Sequence, residues 1–98
     1  MSARSIAWSA LLLLAIPPSA HGQQLGDPAA GQRLATANCA KCHDHGAAPA
    51  FAKIAAMPST TQRSLGVFLR TSHGAMPNHI LSAADRNDLI AYILSLRR

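Results

Sequence analysis

The stretch Cys39-Ala40-Lys41-Cys42-His43 is the most distinctive feature of this 98-residue sequence. Its two thiols are separated by two residues, so they lie on one side of a helical turn, and an imidazole follows directly. This spacing is the attachment signature of a c-type haem, whose vinyl groups on adjacent pyrroles form thioethers with the two cysteines. The motif therefore predicts that Cys39 and Cys42 hold one covalent haem and that His43 supplies an axial nitrogen to the iron.

Other interpretations of the cysteine pair lack the partners that they need. A zinc site takes four ligands, and the residues nearest the pair, His43 and His45, are too crowded in sequence for the usual arrangements. A thioredoxin-like redox pair needs a βαβ context, which this sequence does not predict. A disulfide is the default for two cysteines in an exported protein, but the adjacent histidine favours haem attachment.

A helix is predicted directly before the motif. Asp27-Pro28 marks its start, because an aspartate accepts hydrogen bonds from first-turn N–H groups and proline suits the first helical position. The helix is expected to run to about Asn38. Gly31 lowers helix stability in the middle of this segment, so we expect it to allow the close approach of another backbone.

Two further helices follow, and no strand pattern extends beyond a few residues. Ser59 or Thr60 can cap a helix that runs to about Thr71, and Ser82 with Asp85 forms the capping pattern of a last helix. Their apolar faces carry Leu65, Phe68 and Leu69, and Leu89, Tyr92, Ile93 and Leu96. The intervening segments are expected to be loops, with one short helical turn near residues 52–57. The sequence thus predicts an all-α fold of three main helices with long loops.

The N-terminal residues 1–22 have the pattern of a secretory signal peptide. Arg4 precedes an apolar run that is too short for a bilayer span, which needs about 20 residues. We expect cleavage after Gly22, or alternatively after Ala20, which leaves residues 23–98 as a single domain in the periplasm. An uncleaved membrane anchor is the less favoured alternative, because so short a stretch requires tilt or bilayer thinning.

Composition limits the function further. Nine Lys and Arg residues against four Asp give a net charge of +5. This excess either steers docking onto an acidic partner or only solvates the surface. Nucleic acid is a poor match, since the chain is predicted to be exported and has no basic cluster interleaved with aromatic residues. So small a core usually needs a disulfide, a metal or a prosthetic group, which agrees with a bound haem.

Taken together, these features resemble the class I cytochrome c family, of the small bacterial periplasmic type. The resemblance covers nearly all of residues 23–98. It rests on the helix with Gly31, the motif Cys39-Ala40-Lys41-Cys42-His43, Pro49, Met76-Pro77, and the final helix with Leu89 and Tyr92. One departure is Ala35, four residues before the first cysteine, where relatives often have an aromatic residue.

The resemblance implies a small cytochrome c fold wrapped around one covalently bound haem c. Carried over residue by residue, it makes Cys39 and Cys42 the attachment points, His43 the proximal iron ligand and Met76 the distal ligand. It also implies that the first and last helices cross, with Gly31 against the face that carries Leu89 and Tyr92.

The distal ligand has rivals in the sequence. The other possible donors are Met57, His45, His73 and His79. Met57 is disfavoured because it precedes the helix that must pass before the chain can return to the haem. His45 is disfavoured because it is too close in sequence to His43 to reach the opposite face of the haem. His73 and His79 flank Met76, so a bis-His iron is the main alternative. Met76 is preferred because the family pattern places its ligand there and because a proline stiffens the turn after it.

Several residues are expected to surround the haem. Pro49 is predicted to turn the loop so that a main-chain carbonyl accepts a hydrogen bond from the second ring nitrogen of His43. Phe51, Phe68 and Leu69 are expected to form the wall of the pocket, although an ordinary core would place them in the same way.

These observations predict a periplasmic electron-transfer protein that carries single electrons through haem c with His/Met ligation. Its expected partners are a redox donor and a redox acceptor, including membrane-bound complexes, with no small-molecule substrate and no nucleic acid. No enzymatic activity is expected, because two occupied axial positions leave no site for substrate. The alternatives are a haem-binding subunit of a dehydrogenase or oxidase complex, and a haem enzyme or sensor with an open or bis-His iron.

Overall fold

The computed structural model describes residues 12–15, 25–71 and 73–98, and within these ranges the chain contains helices and no β-strand. The five helices are α1 (Pro28–Asn38), α2 (Ala40–His43), α3 (Phe51–Ala56), α4 (Gln62–Phe68) and α5 (Ala83–Ser95). The predicted all-α architecture is confirmed, and α1, α4 and α5 are its three main helices. The short α3 matches the expected helical turn, whereas the sequence did not predict the separate α2.

The predicted cleavage sites and most of the predicted signal peptide lie outside the described residues. Of residues 1–22 only 12–15 are described, and Leu12, Leu13 and Leu14 are exposed there. Among the helices of the described ranges, none combines the length and the apolar character that crossing a bilayer requires.

The first helix begins and ends where the sequence predicts. The Asp27 side chain accepts a hydrogen bond of 3.0 Å from the N–H of Ala29, and Pro28 occupies the first helical position. At the other end, the N–H of Cys39 still donates to the carbonyl of Ala35 at 2.8 Å. α2 follows after this single residue, so α1 delivers the chain directly to the cysteine motif.

The main packing contact of the fold is the crossing of α1 and α5. A Cβ atom on Gly31 would lie 1.9 Å from the main-chain oxygen of Asp88 and 2.8 Å from Cβ of Tyr92. The two backbones therefore approach more closely than any side chain at this position allows. The carboxylate of Asp88 also accepts a hydrogen bond of 2.8 Å from the N–H of Asp27. The expected contact of Gly31 with the Tyr92 face of the last helix is confirmed.

A small core lies beside this crossing. It consists of the buried side chains Ala35, Phe51, Ala55, Leu65, Leu89, Ile90 and Ile93, which come from α1, α3, α4 and α5. At the C-terminus, the guanidinium of Arg97 donates hydrogen bonds to the carbonyls of Ala55 and Thr60. This link ties the end of α5 to the segment between α3 and α4.

The predicted cap of α4 is wrong by one or two residues. Thr61, and neither Ser59 nor Thr60, is the N-cap, and it forms a reciprocal capping box with Ser64. Thr60 is buried, and its hydroxyl donates to the carbonyl of Ile54. The Thr60 hydroxyl is therefore bonded back to α3, and Thr61 caps α4 in its place.

The predicted end of α4 is also wrong, because the helix stops at Phe68 and not near Thr71. The Thr71 hydroxyl donates to the carbonyl of Val67 at 3.0 Å. In a continuing helix, this carbonyl would accept from the main-chain N–H of Thr71. By contrast, the cap of α5 is as predicted, since the Ser82 hydroxyl accepts from the N–H of Asp85 at 3.0 Å.

Substitution of Gly31 by Ala tests the helix crossing. We expect Gly31→Ala to lower the free energy of unfolding by at least about 2 kcal/mol, because the added methyl group meets main-chain atoms that cannot rotate away. Gly66→Ala is the matched control: a Cβ at Gly66 meets nothing within 4 Å, so this variant should gain about 0.5–1 kcal/mol from helix propensity. Denaturant unfolding of both variants measures the difference, and equal stabilities would contradict the crossing.

Candidate haem site

The cysteine motif lies on the short helix α2, and its three functional side chains differ in exposure. His43 is buried, Cys39 is half-buried, and Cys42 is exposed. Both cysteines are free thiols in this structure. Burial raises the pKa of the Cys39 thiol, and the nearby carboxylate of Asp44 raises it further. The Cys39 side chain is therefore a neutral thiol at neutral pH.

The imidazole of His43 is held by a main-chain acceptor. Its Nδ1 lies 2.8 Å from the carbonyl oxygen of Pro49. Because a carbonyl can only accept, Nδ1 carries the proton of this hydrogen bond, and Nε2 is the ring nitrogen that is left for a metal. The predicted hydrogen bond from the second ring nitrogen to a main-chain carbonyl is confirmed, and the acceptor is the carbonyl of Pro49 itself. This contact fixes the tautomer in which Nε2 can bind a metal.

A second contact fixes the plane of the same ring. Phe51 stacks on His43 with the ring centroids 4.6 Å apart and an angle of 12° between the planes. Phe51 in turn packs against Tyr92 of α5. The two rings meet edge-on, with their centroids 6.3 Å apart. Phe51, which was expected only as a wall residue, thus also orients the imidazole.

Two adjoining cavities open beside α2. The larger has a volume of about 510 Å³, and its lining includes Cys39, Cys42, His43, Pro49 and Met76. The smaller has a volume of about 240 Å³, and its lining includes the apolar residues Phe51, Ile54, Leu65, Phe68, Leu69 and Ile93. The two spaces meet at five residues that line both cavities, namely Cys39, His43, Pro49, His73 and Met76. They include three of the four predicted haem residues and the rival donor His73.

The chemistry of these walls fits a porphyrin. Binding sites for cofactors are concave, mostly apolar spaces of about 300–1,000 Å³ with a few convergent polar groups. The larger cavity falls within that range, and the smaller one extends it with a mostly apolar space. The lining of the larger cavity combines two thiols, which could attach the vinyl groups, with an imidazole and a thioether, which are iron-ligating groups. Phe68 lines the smaller cavity and has 54% of its surface exposed, so an apolar ring is available for contact with a bound macrocycle.

The loop before α5 brings three possible axial donors to the larger cavity, namely His73, Met76 and His79. A turn places them there: the N–H of Met76 donates to the carbonyl of His73 at 3.1 Å, and Gly74 has the positive φ of 53° that this turn uses. The rivals outside this loop are placed less favourably. Met57 is about half exposed and lines only the smaller cavity, and His45 is exposed and lines neither.

Some lining residues were not predicted from the sequence. Ile54 and Ile93 were not assigned to the pocket, although Ile93 is on the predicted apolar stripe of the last helix. The polar residues Ser59, Thr60 and Ser64 also line the smaller cavity. No spacing or motif in the sequence signals these three positions.

Comparison with known proteins agrees with the fold and the site. The profile of the family described as "Cytochrome C oxidase, cbb3-type, subunit III" matches residues 26–93. The chain is 36% identical over 94 residues to cytochrome c-552 of Bradyrhizobium diazoefficiens, and the match covers 88% of this chain and 90% of that protein. No solved structure matches the chain significantly.

The helical fold, the cysteine motif and these similarities define a small haem-based electron-transfer protein of the cytochrome c type. The chain belongs to the class I, monohaem cytochrome c family. The cofactor of this family is haem c, and its members are electron carriers.

Proposed function

We propose that this protein carries single electrons in the periplasm through one haem c, which is attached at Cys39 and Cys42 and ligated by His43 and Met76. One observation carries the proposal: these four side chains, from two distant parts of the chain, line the same cavity. When bound, haem c supplies a one-electron couple between ferric and ferrous iron.

The cysteines attach the cofactor without a change in its redox state. Each Sγ–H adds across one vinyl C=C bond, so that sulfur bonds to one carbon and the hydrogen goes to the other. Both thiols must therefore be reduced when the bond forms, as they are in this structure. Two covalent links to Cys39 and Cys42 also keep the cofactor on a small exported protein.

His43 provides the proximal ligand through Nε2. The Pro49 carbonyl and the Phe51 ring hold the imidazole before any metal arrives. A ligand that is already oriented has little to rearrange when the iron changes its oxidation state. This preorganisation is what an electron carrier needs.

Met76 provides the distal ligand in this proposal. A thioether sulfur prefers electron-rich ferrous iron, so His/Met ligation gives a higher reduction potential than bis-His ligation. With both axial positions filled, no open site remains for a substrate. The protein is then a carrier and not an enzyme or a gas sensor.

A second candidate function is a haem-binding subunit that stays within one oxidase complex. It is favoured by the family description, which names a subunit of a cbb3-type cytochrome oxidase. Gel filtration of the periplasmic fraction and of solubilised membranes from the native host distinguishes the two. A free carrier elutes alone from the periplasmic fraction, whereas a subunit elutes with the larger complex.

The attachment can be tested by intact mass. We expect the exported holoprotein to begin at residue 23 and to carry the added mass of one haem, because two cysteines can attach one macrocycle. The double variant Cys39→Ala/Cys42→Ala should lack this added mass. A wild-type chain without tetrapyrrole, after maturation in a host with the c-type attachment machinery, would contradict the proposal.

The distal ligand can be tested by visible spectroscopy. Met–iron bonding gives the oxidised protein a weak band near the red end of the spectrum, and we expect Met76→Ala to abolish it. Met57→Ala is the matched control and should leave the band intact. If Met76→Ala leaves the spectrum unchanged, Met76 is not a ligand, and the variants His73→Ala and His79→Ala then identify which imidazole binds the iron.

A further inference from the structure

A third concave surface lies away from the haem site, between α4 and α5. This groove has a volume of about 480 Å³. Three arginines line it, Arg63 and Arg70 from α4 and the turn after it, and Arg86 from α5. Val67 and Ile90 add apolar surface between them. We refer to it as the arginine groove.

The charge of the arginine groove is one-sided. The sequence has four acidic residues, Asp27, Asp44, Asp85 and Asp88, and none of them lines the groove. Asp85 directly precedes Arg86 but does not line the groove, and the carboxylate of Asp88 accepts from the N–H of Asp27 and so lies towards α1. Three guanidinium groups thus share one open surface without a carboxylate among the lining residues.

The arginine groove and the haem cavities use opposite sides of α4. The smaller cavity is lined by Ser64, Leu65 and Phe68, whereas the groove is lined by Arg63, Gly66 and Val67. At 3.6 residues per turn, these two sets fall on opposing faces of the helix. A molecule bound in the groove therefore leaves the haem residues uncovered.

We propose that the arginine groove is a docking surface for an acidic segment of a partner protein. Guanidinium groups bind carboxylates in a planar, bidentate geometry, and the amides of Gln62 and Asn87 at the same surface can bind a peptide backbone. The exposed side chain of Val67 offers contact to an apolar residue of the same segment. Docking here would hold the protein on its partner while the haem face remains free to exchange electrons.

The shape of the surface favours a protein segment over a membrane. A groove between two helices admits a protruding chain, whereas a flat bilayer surface would contact only its rims. The partner is therefore expected to present glutamates or aspartates on an exposed loop or helix, spaced by apolar residues. The inference is independent of which axial ligands bind the iron.

Binding of a defined peptide to the mature, reduced holoprotein tests the inference. The probe is a synthetic peptide of repeated Glu-Glu-Leu triplets, and Gln-Gln-Leu repeats are the uncharged control. We expect binding at low ionic strength that weakens with salt. The triple variant Arg63→Gln/Arg70→Gln/Arg86→Gln should weaken it at least about tenfold, since three charge-assisted contacts are lost.

The matched control variant is Arg33→Gln/Lys53→Gln/Arg98→Gln, which removes the same charge from exposed positions outside the groove. It should change the affinity by less than about threefold if the location of the charge matters. Peptide-induced amide shifts at residues 62–70 and 86–90 would support the site. Equal loss in both triple variants, shifts confined to residues 73–79, or binding only to anionic phosphatidylglycerol vesicles would each overturn it.

Discussion

The approach of the Gly31 backbone to the Asp88 carbonyl is the constraint on which the rest of this structure depends. It sets the distance between the first and last helices, and the cysteine motif follows directly after the first helix. The last helix in turn carries Tyr92 against Phe51 and Ile93 into the wall of the smaller cavity. A larger distance between α1 and α5 would displace the cysteine motif on one side of the haem site and Tyr92 and Ile93 on the other. One residue without a side chain thus couples the packing of the fold to the geometry of its cofactor site.

The site is organised by contacts that do not involve the cofactor. The His43 ring is oriented by a hydrogen bond and by a stacked aromatic ring, and the Met76 loop is shaped by a turn at Gly74. The segment before α4 is fixed by Arg97, whose guanidinium reaches two carbonyls from the far end of the chain. These contacts explain how a chain with so small a core can present preformed walls to a large flat group.

The parts of the fold that the sequence predicts are those set by local chemistry. Asp27-Pro28 and Ser82 cap their helices as expected. The close backbone approach at Gly31 was predicted because a glycine in the middle of a helix lowers helix stability. The cap of α4 was wrong, because Thr60 forms buried contacts that no local pattern reveals. The polar lining of the smaller cavity was missed for the same reason: it arises from contacts between distant segments. The sequence predicted a main-chain acceptor for His43 in the loop at Pro49, but only the folded loop identifies it as the carbonyl of Pro49, 2.8 Å from Nδ1.

The acceptor that orients His43 is a main-chain atom, and this has consequences for mutational tolerance. A carbonyl oxygen is present whatever side chain occupies the position, so no single substitution deletes the acceptor itself. It also does not ionise, so the direction of the imidazole does not vary with acidity as it would beside a carboxylate. The hydrogen bond to the ring therefore depends on the path of the backbone, whereas the plane of the ring also depends on the side chain at position 51.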